Sequence, residues 1–361
     1  MALVKPFRAL RYAAGAAGPL DPLISPPYDV ISPGLHERLL AASPYNAVRL
    51  VRPDDPAEAA RLLADWQTEG ILVREEEPAV WLLEEEFTGP EGRLRTRRSV
   101  VARVALEPYE RGIVLPHERS FPKPREGRLH LLRATRAKLS PILLLHQGPP
   151  PDPGPDRPPD LEATLDGVTS RLWRLAPDAA AAVEPPLVIA DGHHRYEAAL
   201  RFHEEERSEE TAHVLAALVS TSDPGLTIFP THRIAASTPR IRVQSDGTKE
   251  ATRALAELDA LPHAGFVMIS PDGATVVESA QARLDTELVD GLGLEGVRYT
   301  ADAGEAERAV AAGEAAAAFI VRPPTVEQVE TFARAGERMP EKSTYFYPKL
   351  AGGLLFSPFD E

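Results

Sequence analysis

Cysteine is absent from the 361 residues. That excludes disulfides, thiolate nucleophiles and cysteine-based metal sites, and it suits a reducing compartment. Long apolar runs are missing too: no stretch approaches the roughly 20 residues a bilayer-spanning helix needs. The opening residues, Met1-Ala2-Leu3-Val4-Lys5-Pro6-Phe7-Arg8, lack the apolar centre of a signal peptide. A cytoplasmic protein is expected. Positive charge is in deficit, with 40 Lys and Arg against 54 Asp and Glu, a net charge of −14. A general nucleic-acid binder needs a basic face, so neither nucleic acid nor membrane is an expected partner. The oligomeric state is left open.

What is present is ordinary for a globular chain, with 43% hydrophobic and 26% charged residues. One stretch organises the rest: Leu187-Val188-Ile189-Ala190-Asp191-Gly192-His193-His194-Arg195-Tyr196-Glu197-Ala198-Ala199-Leu200. Four apolar residues read as a short buried strand, and Asp191-Gly192 as a turn. From Tyr196 the spacing is helical, with Tyr196, Ala199, Leu200 and His203 on one face. A helix start points unpaired N–H groups and partial positive charge outward, which suits an anion. Gly192 lets a ligand approach the backbone, and Arg195 offers a fork for phosphate or carboxylate oxygens. The plainer reading stays open, in which Asp191 only caps the helix and Arg195 only pairs with Glu197 or a nearby loop. His193 and His194 are adjacent, so their side chains diverge, and no dedicated protein metal site is expected.

Taken in order, Pro26-Pro27-Tyr28-Asp29 reads as extended backbone leading into Val30-Ile31. Asn46–Val51 reads as a strand, and Pro56–Glu69 as a helix burying Ala59, Leu62, Leu63 and Trp66. Residues 79–87 and 94–106 form a hairpin. Its Glu84-Glu85-Glu86 and Arg93, Arg95, Arg97 and Arg98 are expected to pair across a solvated face. The basic stretch Lys123–Lys138 suits either phosphate steering or a solvated helix face. Pro141–Leu145 is a strand, and 148–159 a proline-rich loop. Strands at Val214–Val219 and Leu226–Phe229 lead into Thr231-His232-Arg233, a candidate second anion clamp. Beyond residue 240, strands are expected at 265–269, 274–278, 297–300 and 317–321, and helices at 249–258, 303–312 and 326–335. Lys342 with its hydroxyl neighbours suits a phosphate, although edge-strand packing accounts for the aromatics beside it.

The D-G-H-H-R turn opening a helix resembles the phosphate-handling box of the ParB/sulfiredoxin-like superfamily, most closely that of its free-serine kinases. The rest of the chain resembles a large bacterial and archaeal family carrying this box and long labelled only as a domain of unknown function. The stretches that carry this likeness are Pro26–Ile31, Pro44–Asn46, Pro116–Glu118, Pro230–Arg233 and Lys342–Lys349. The resemblance implies a mixed α/β (α+β) fold. Its parts would be an N-terminal β-rich region (1–109), a ParB/sulfiredoxin-like core (110–239) and a C-terminal α/β subdomain with a returning tail (240–361). With no cysteine, a sulfiredoxin-type thiol mechanism is excluded.

For function, the resemblance implies phosphoryl transfer on serine or phosphoserine, by a kinase or a phosphatase, and a place in serine metabolism. ATP or ADP would be a co-substrate, with Mg2+ touching Asp191. It makes Glu118 the general base, with Asp191 and His193 as the other catalytic candidates, and leaves open whether Glu118 or His193 moves the proton. Gly192, His194 and Arg195 would hold the phosphoryl group. His117, Tyr28, Asp29, Thr231, His232, Arg233 and Lys342 complete the candidate binding set for a small phosphorylated substrate. The alternative is a nucleotide-binding regulatory switch with little turnover.

Overall fold

Apolar runs without alternation become central strands here, because only a strand covered on both faces tolerates them. The computed structural model describes residues 3–180, 183–238 and 250–359. It divides into two units, Met1–Thr227 with Pro348–Glu361, and Ile228–Tyr347.

The first unit carries β1 (Val4–Lys5), β2 (Val80–Thr88), β3 (Leu94–Ala105), β4 (Val114–Pro116) and β5 (Ile142–His146). It continues with β6 (Leu161–Leu165), β7 (Val168–Leu175), β8 (Leu187–Asp191) and β9 (His213–Ser220). They make one sheet in the order β4-β8-β5-β9-β3-β2-β7-β6, with β1 alongside β3. Pairing is mixed: β8 runs parallel to β4 and β9 parallel to β5, while β8 and β5 are antiparallel. β9 is buried along its whole length. Val104, Ile142, Leu144, Leu187, Ile189 and Tyr196 share one core cluster. The expected boundary at 109/110 therefore falls inside a continuous sheet, since the hairpin β2–β3 joins the core strands directly through β9.

Helices α1 (Pro56–Thr68), α2 (Pro122–Thr135) and α3 (His193–Glu206) belong to this unit. Asp55 caps α1 by accepting from the Ala57 N–H at 2.9 Å, and Ala59, Leu63 and Trp66 are its buried face. α2 and α3 are tied by Arg133–Glu205 and Arg136–Glu206, both at 2.7 Å. The solvated-helix reading thus holds for Arg133 and Arg136, while Lys138 donates to the Glu210 carbonyl at 3.1 Å.

Four local expectations need correction. Val48–Val51 is a helical turn, not a strand: the buried Asn46 side chain accepts from the Val48 N–H at 2.8 Å and donates to the Pro22 and Ile24 carbonyls. That local bonding outweighs the β preference of the valines. Tyr28–Val30 forms a 3-10 turn after the extended Pro27. The hairpin β6–β7 was not anticipated. Finally, Glu85 and Arg97 are not on a solvated face: both are essentially inaccessible, 2.6 Å apart. Arg97 also donates to the Pro348 carbonyl at 2.7 Å, so the returning tail covers the pair.

The second unit holds β10 (His232–Ala235), β11 (Ala264–Ser270), β12 (Gly273–Ser279), β13 (Arg298–Thr300) and β14 (Ala317–Ile320). Their order is β12-β11-β14-β10-β13, and every pairing is antiparallel. Helices α4 (Ala251–Ala260), α5 (Asp285–Asp290), α6 (Ala303–Ala311) and α7 (Val326–Arg334) accompany them. Lys249, where the first of these helices was expected to start, lies outside the described residues. Because β10 belongs here, the expected boundary at 239/240 moves back to residue 228. The tail strand Tyr345–Tyr347 pairs with Thr227–Phe229, and Tyr347 stacks on Phe229 at 4.5 Å. Among the described residues no helix is long and apolar enough to cross a membrane.

Candidate functional site

The parallel strands β4 and β8 end side by side, with Pro116 opposite Ile189. Their next residues, His117-Glu118 and Gly192-His193, therefore emerge at one edge of the sheet. Gly192 caps α3 with φ of +97°. A Cβ there would lie 2.6 Å from Ile142 Cγ2, so both conformation and space demand glycine. Asp191 is the last strand residue rather than the cap, which frees its carboxylate for other work.

That carboxylate is shared. Arg195 Nη2 donates to Asp191 Oδ2 at 2.6 Å, and Lys349 Nζ donates to Oδ1. Arg195 Nη1 donates to the Pro141 carbonyl. The three side chains are only 12–15% exposed. Burial alone would raise the Asp191 carboxyl, but Lys349 and then Arg195 outweigh it and hold it well below the usual carboxylate range. Asp191 thus stays ionised and holds two cations beside the positive end of a helix. Arg195 does not pair with Glu197, which instead accepts from Ser120, Tyr109 and Arg125.

The histidines do less binding than the sequence implied. His117 is fully buried, and its Nδ1 lies 2.6 Å from the Ile189 carbonyl. A carbonyl only accepts, so Nδ1 carries the proton. The His117 ring meets His193 edge-on with centroids 4.9 Å apart, so it orients His193 rather than a ligand. His194 Nε2 accepts the Phe121 N–H at 2.8 Å, which pins the start of α2. Glu118 is half-buried beside them. Tyr28 lies under Arg128, 3.9 Å from guanidinium to ring centroid, and burial raises its phenol against the lowering pull of Arg195. Its neighbour Asp29 is exposed.

The remaining candidates belong to the second unit. His232 accepts from the Val321 N–H at 3.3 Å, and Arg233 donates to the Thr231 and Glu341 carbonyls and to Asp290. These bonds hold that unit together, which corrects the anion-clamp reading of Thr231-His232-Arg233. Lys342 also lies there, at a left-handed φ of +54°. The lysine that reaches Asp191 is Lys349, seven residues on. It stood in the same motif stretch, but the hydroxyls beside Lys342 drew the choice. Arg128 was missed as well, since helical spacing alone does not tell which arginine turns inward. Among the described residues no cluster of three or more His, Asp or Glu side chains is arranged to hold a metal.

The profile of the family described as "Protein of unknown function (DUF1015)" matches residues 4–292. The chain belongs to that family. Lys349 lies beyond the stretch matched to DUF1015. No curated protein sequence matches the chain. Among solved structures, this DUF1015 member is similar to a free serine kinase in complex with AMP, with 14% identity and a TM-score of 0.41. That match covers 70% of this chain and 88% of that one. A free serine kinase variant in complex with ADP is similar at 15% identity and TM-score 0.42, with the same coverages. SbnI with a C-terminal truncation, from Staphylococcus aureus, matches at 12% identity and TM-score 0.37, over 72% of this chain and 82% of that one.

Proposed function

We propose that the chain is a phosphoryl-transfer enzyme acting on serine or phosphoserine. The observation that carries the reading is the convergence of Arg195 and Lys349 on Asp191 at the start of α3. Two largely buried cations held by one carboxylate, at the positive end of a helix, form a cradle that an incoming phosphoryl group shares with Asp191. In this reading the sheet half β4-β8-β5-β9 with α2 and α3 is a ParB/sulfiredoxin-like core. The reaction is cytoplasmic and needs no nucleic acid.

With serine as acceptor, its hydroxyl oxygen attacks the terminal phosphorus of ATP or ADP. One O–P bond forms as the bond to the nucleotide's bridging oxygen breaks, and the hydroxyl proton passes to Glu118. Arg195, Lys349 and the N–H groups following Gly192 carry the charge on the transferring oxygens. His193, braced by His117, is the second group placed to move a proton. Asp191 does not fit a Mg2+ ligand in this arrangement, since each of its oxygens already accepts from a cation. Its part is to position Arg195 and Lys349, and no step is routed through a metal.

The test is 31P NMR of the full chain with serine plus ATP or ADP, and separately with phosphoserine, each with and without Mg2+. The expected result is phosphoserine from serine, or phosphate release from phosphoserine. Nucleotide binding without transfer in either direction would place the chain with the regulatory switches instead.

A further inference from the structure

Arg128 and Leu131 sit three residues apart on α2 and line the same side of it. The Arg128 guanidinium lies over the Tyr28 ring, and its Nη1 donates to the Val51 carbonyl at 2.7 Å. Among the described residues no carboxylate is hydrogen-bonded to Arg128, an unusual state for a guanidinium largely removed from water. Together with Tyr28, Ser140 and Arg195, it lines a cavity of about 60 Å3 floored by Leu139 and Ala199. Arg195, on the wall of the same cavity, brings a second guanidinium to it.

Two guanidiniums on one small cavity ask for an anion with at least two oxygens. At about 10–15 Å3 for each water-sized occupant, the space takes roughly four to six non-hydrogen atoms. A carboxylate with its α-carbon and amino or hydroxyl group has that size. The apolar floor suits the carbon atoms of such a fragment.

We propose that this cavity binds the carboxylate end of a small amino or hydroxy acid, with Arg128 as its counter-charge and the Arg195 guanidinium beside it. The inference rests on the phosphoryl-transfer reading for the other end of the ligand, which lies at the Asp191 turn. It names Arg128 as the residue that tells serine from its decarboxylated counterpart.

Calorimetry on the full chain with O-phosphoserine and O-phosphoethanolamine, which differ only in the carboxylate, tests it. The chain is expected to bind phosphoserine at least tenfold more tightly. Arg128→Met reduces that ratio below threefold, while Arg128→Lys keeps part of it, and melting curves verify that both variants fold. Equal affinity of the unmodified chain for the two ligands overturns the proposal. So does an Arg128→Met variant that is folded and still discriminates. Discrimination without any turnover retires the phosphoryl-transfer reading and leaves the carboxylate subsite standing; turnover without discrimination does the reverse.

Discussion

Each unit of this molecule holds an arginine against an aspartate away from water, and the two pairs are wired differently. In the second unit, Asp285 gives both carboxylate oxygens to Arg322, at 2.9 Å each. Arg322 spends its other donors on the Leu261 and His263 carbonyls. Asp285 also takes the Gly265 and Arg322 N–H groups. In the first unit, Asp191 divides its oxygens between Arg195 and Lys349, and Arg195 retains an unmatched Nε–H. A saturated one-to-one pair is a staple: an approaching ligand finds nothing to compete for. A carboxylate divided between two cations from distant parts of the chain can yield a share of each to another anion.

The comparison breaks most sharply at Lys349. Replacing it with Met removes one of two groups placed to carry oxyanion charge, and the expected loss is about 10²–10³-fold in kcat/KM for phosphoryl transfer. A fall of less than about threefold would make Asp191 a staple like Asp285. The converse change, Asp285→Ala, leaves Arg322 without its counter-charge and is expected to cost about 3 kcal/mol in denaturant unfolding of the second unit. Phosphate affinity in the first unit should be unaltered.

Acid sharpens the contrast on a smaller scale. Burial, with Lys5 beside it, pushes His213 in the first unit down to about 4, and burial with Arg233 pushes His232 in the second down to about 4. Both are neutral when folded and gain protons on unfolding below their ordinary value near 6.5. Their contribution is therefore complete above about pH 6.5 and is lost as pH falls toward 4, by at most about 1.4 kcal/mol per unit for each histidine. His213→Gln should flatten the pH dependence of the first unit's melting and leave that of the second. The contribution of Asp191 depends on pH only lower down, since its carboxyl is depressed: it is complete above the unfolded value near 3.9 and is lost as pH falls below that toward the folded value. The smallest effect belongs to Arg133→Ala, whose partner Glu205 is well exposed. It should lower the melting temperature only marginally, and the difference should vanish in high salt.

The strand, glycine turn and helix at 187–206 were legible because the spacing changes from an apolar run to a helical period at one glycine. Most strands and helices of the second unit could be read down to a residue or two, but the helix Asp285–Asp290 and the strand His232–Ala235 were not anticipated. What failed was anything settled by a distant segment. Asn46–Val51 carries strand-like side chains, yet Asn46 finds its acceptors at Pro22 and Ile24, more than twenty residues back. The charges of the β2–β3 hairpin looked solvated, because alternation within a hairpin cannot say which face another segment will cover. Among the lysines, local chemistry favoured Lys342, while the fold delivers Lys349 to a carboxylate 158 residues earlier in the chain.

The route taken by the backbone also sets a timetable. Residue 349 is synthesised only after the whole second unit, and the segment behind it supplies the Phe356 and Gly352 groups that Leu10 and Ser25 bond in the first unit. A ribosome-bound chain that has emerged only as far as the second unit has its glycine turn but lacks one of the two cations, and its earliest residues still wait for their partners. Asp191 therefore gains its second cation only after the second unit has been made, from the same segment that pairs with the first unit's earliest strands.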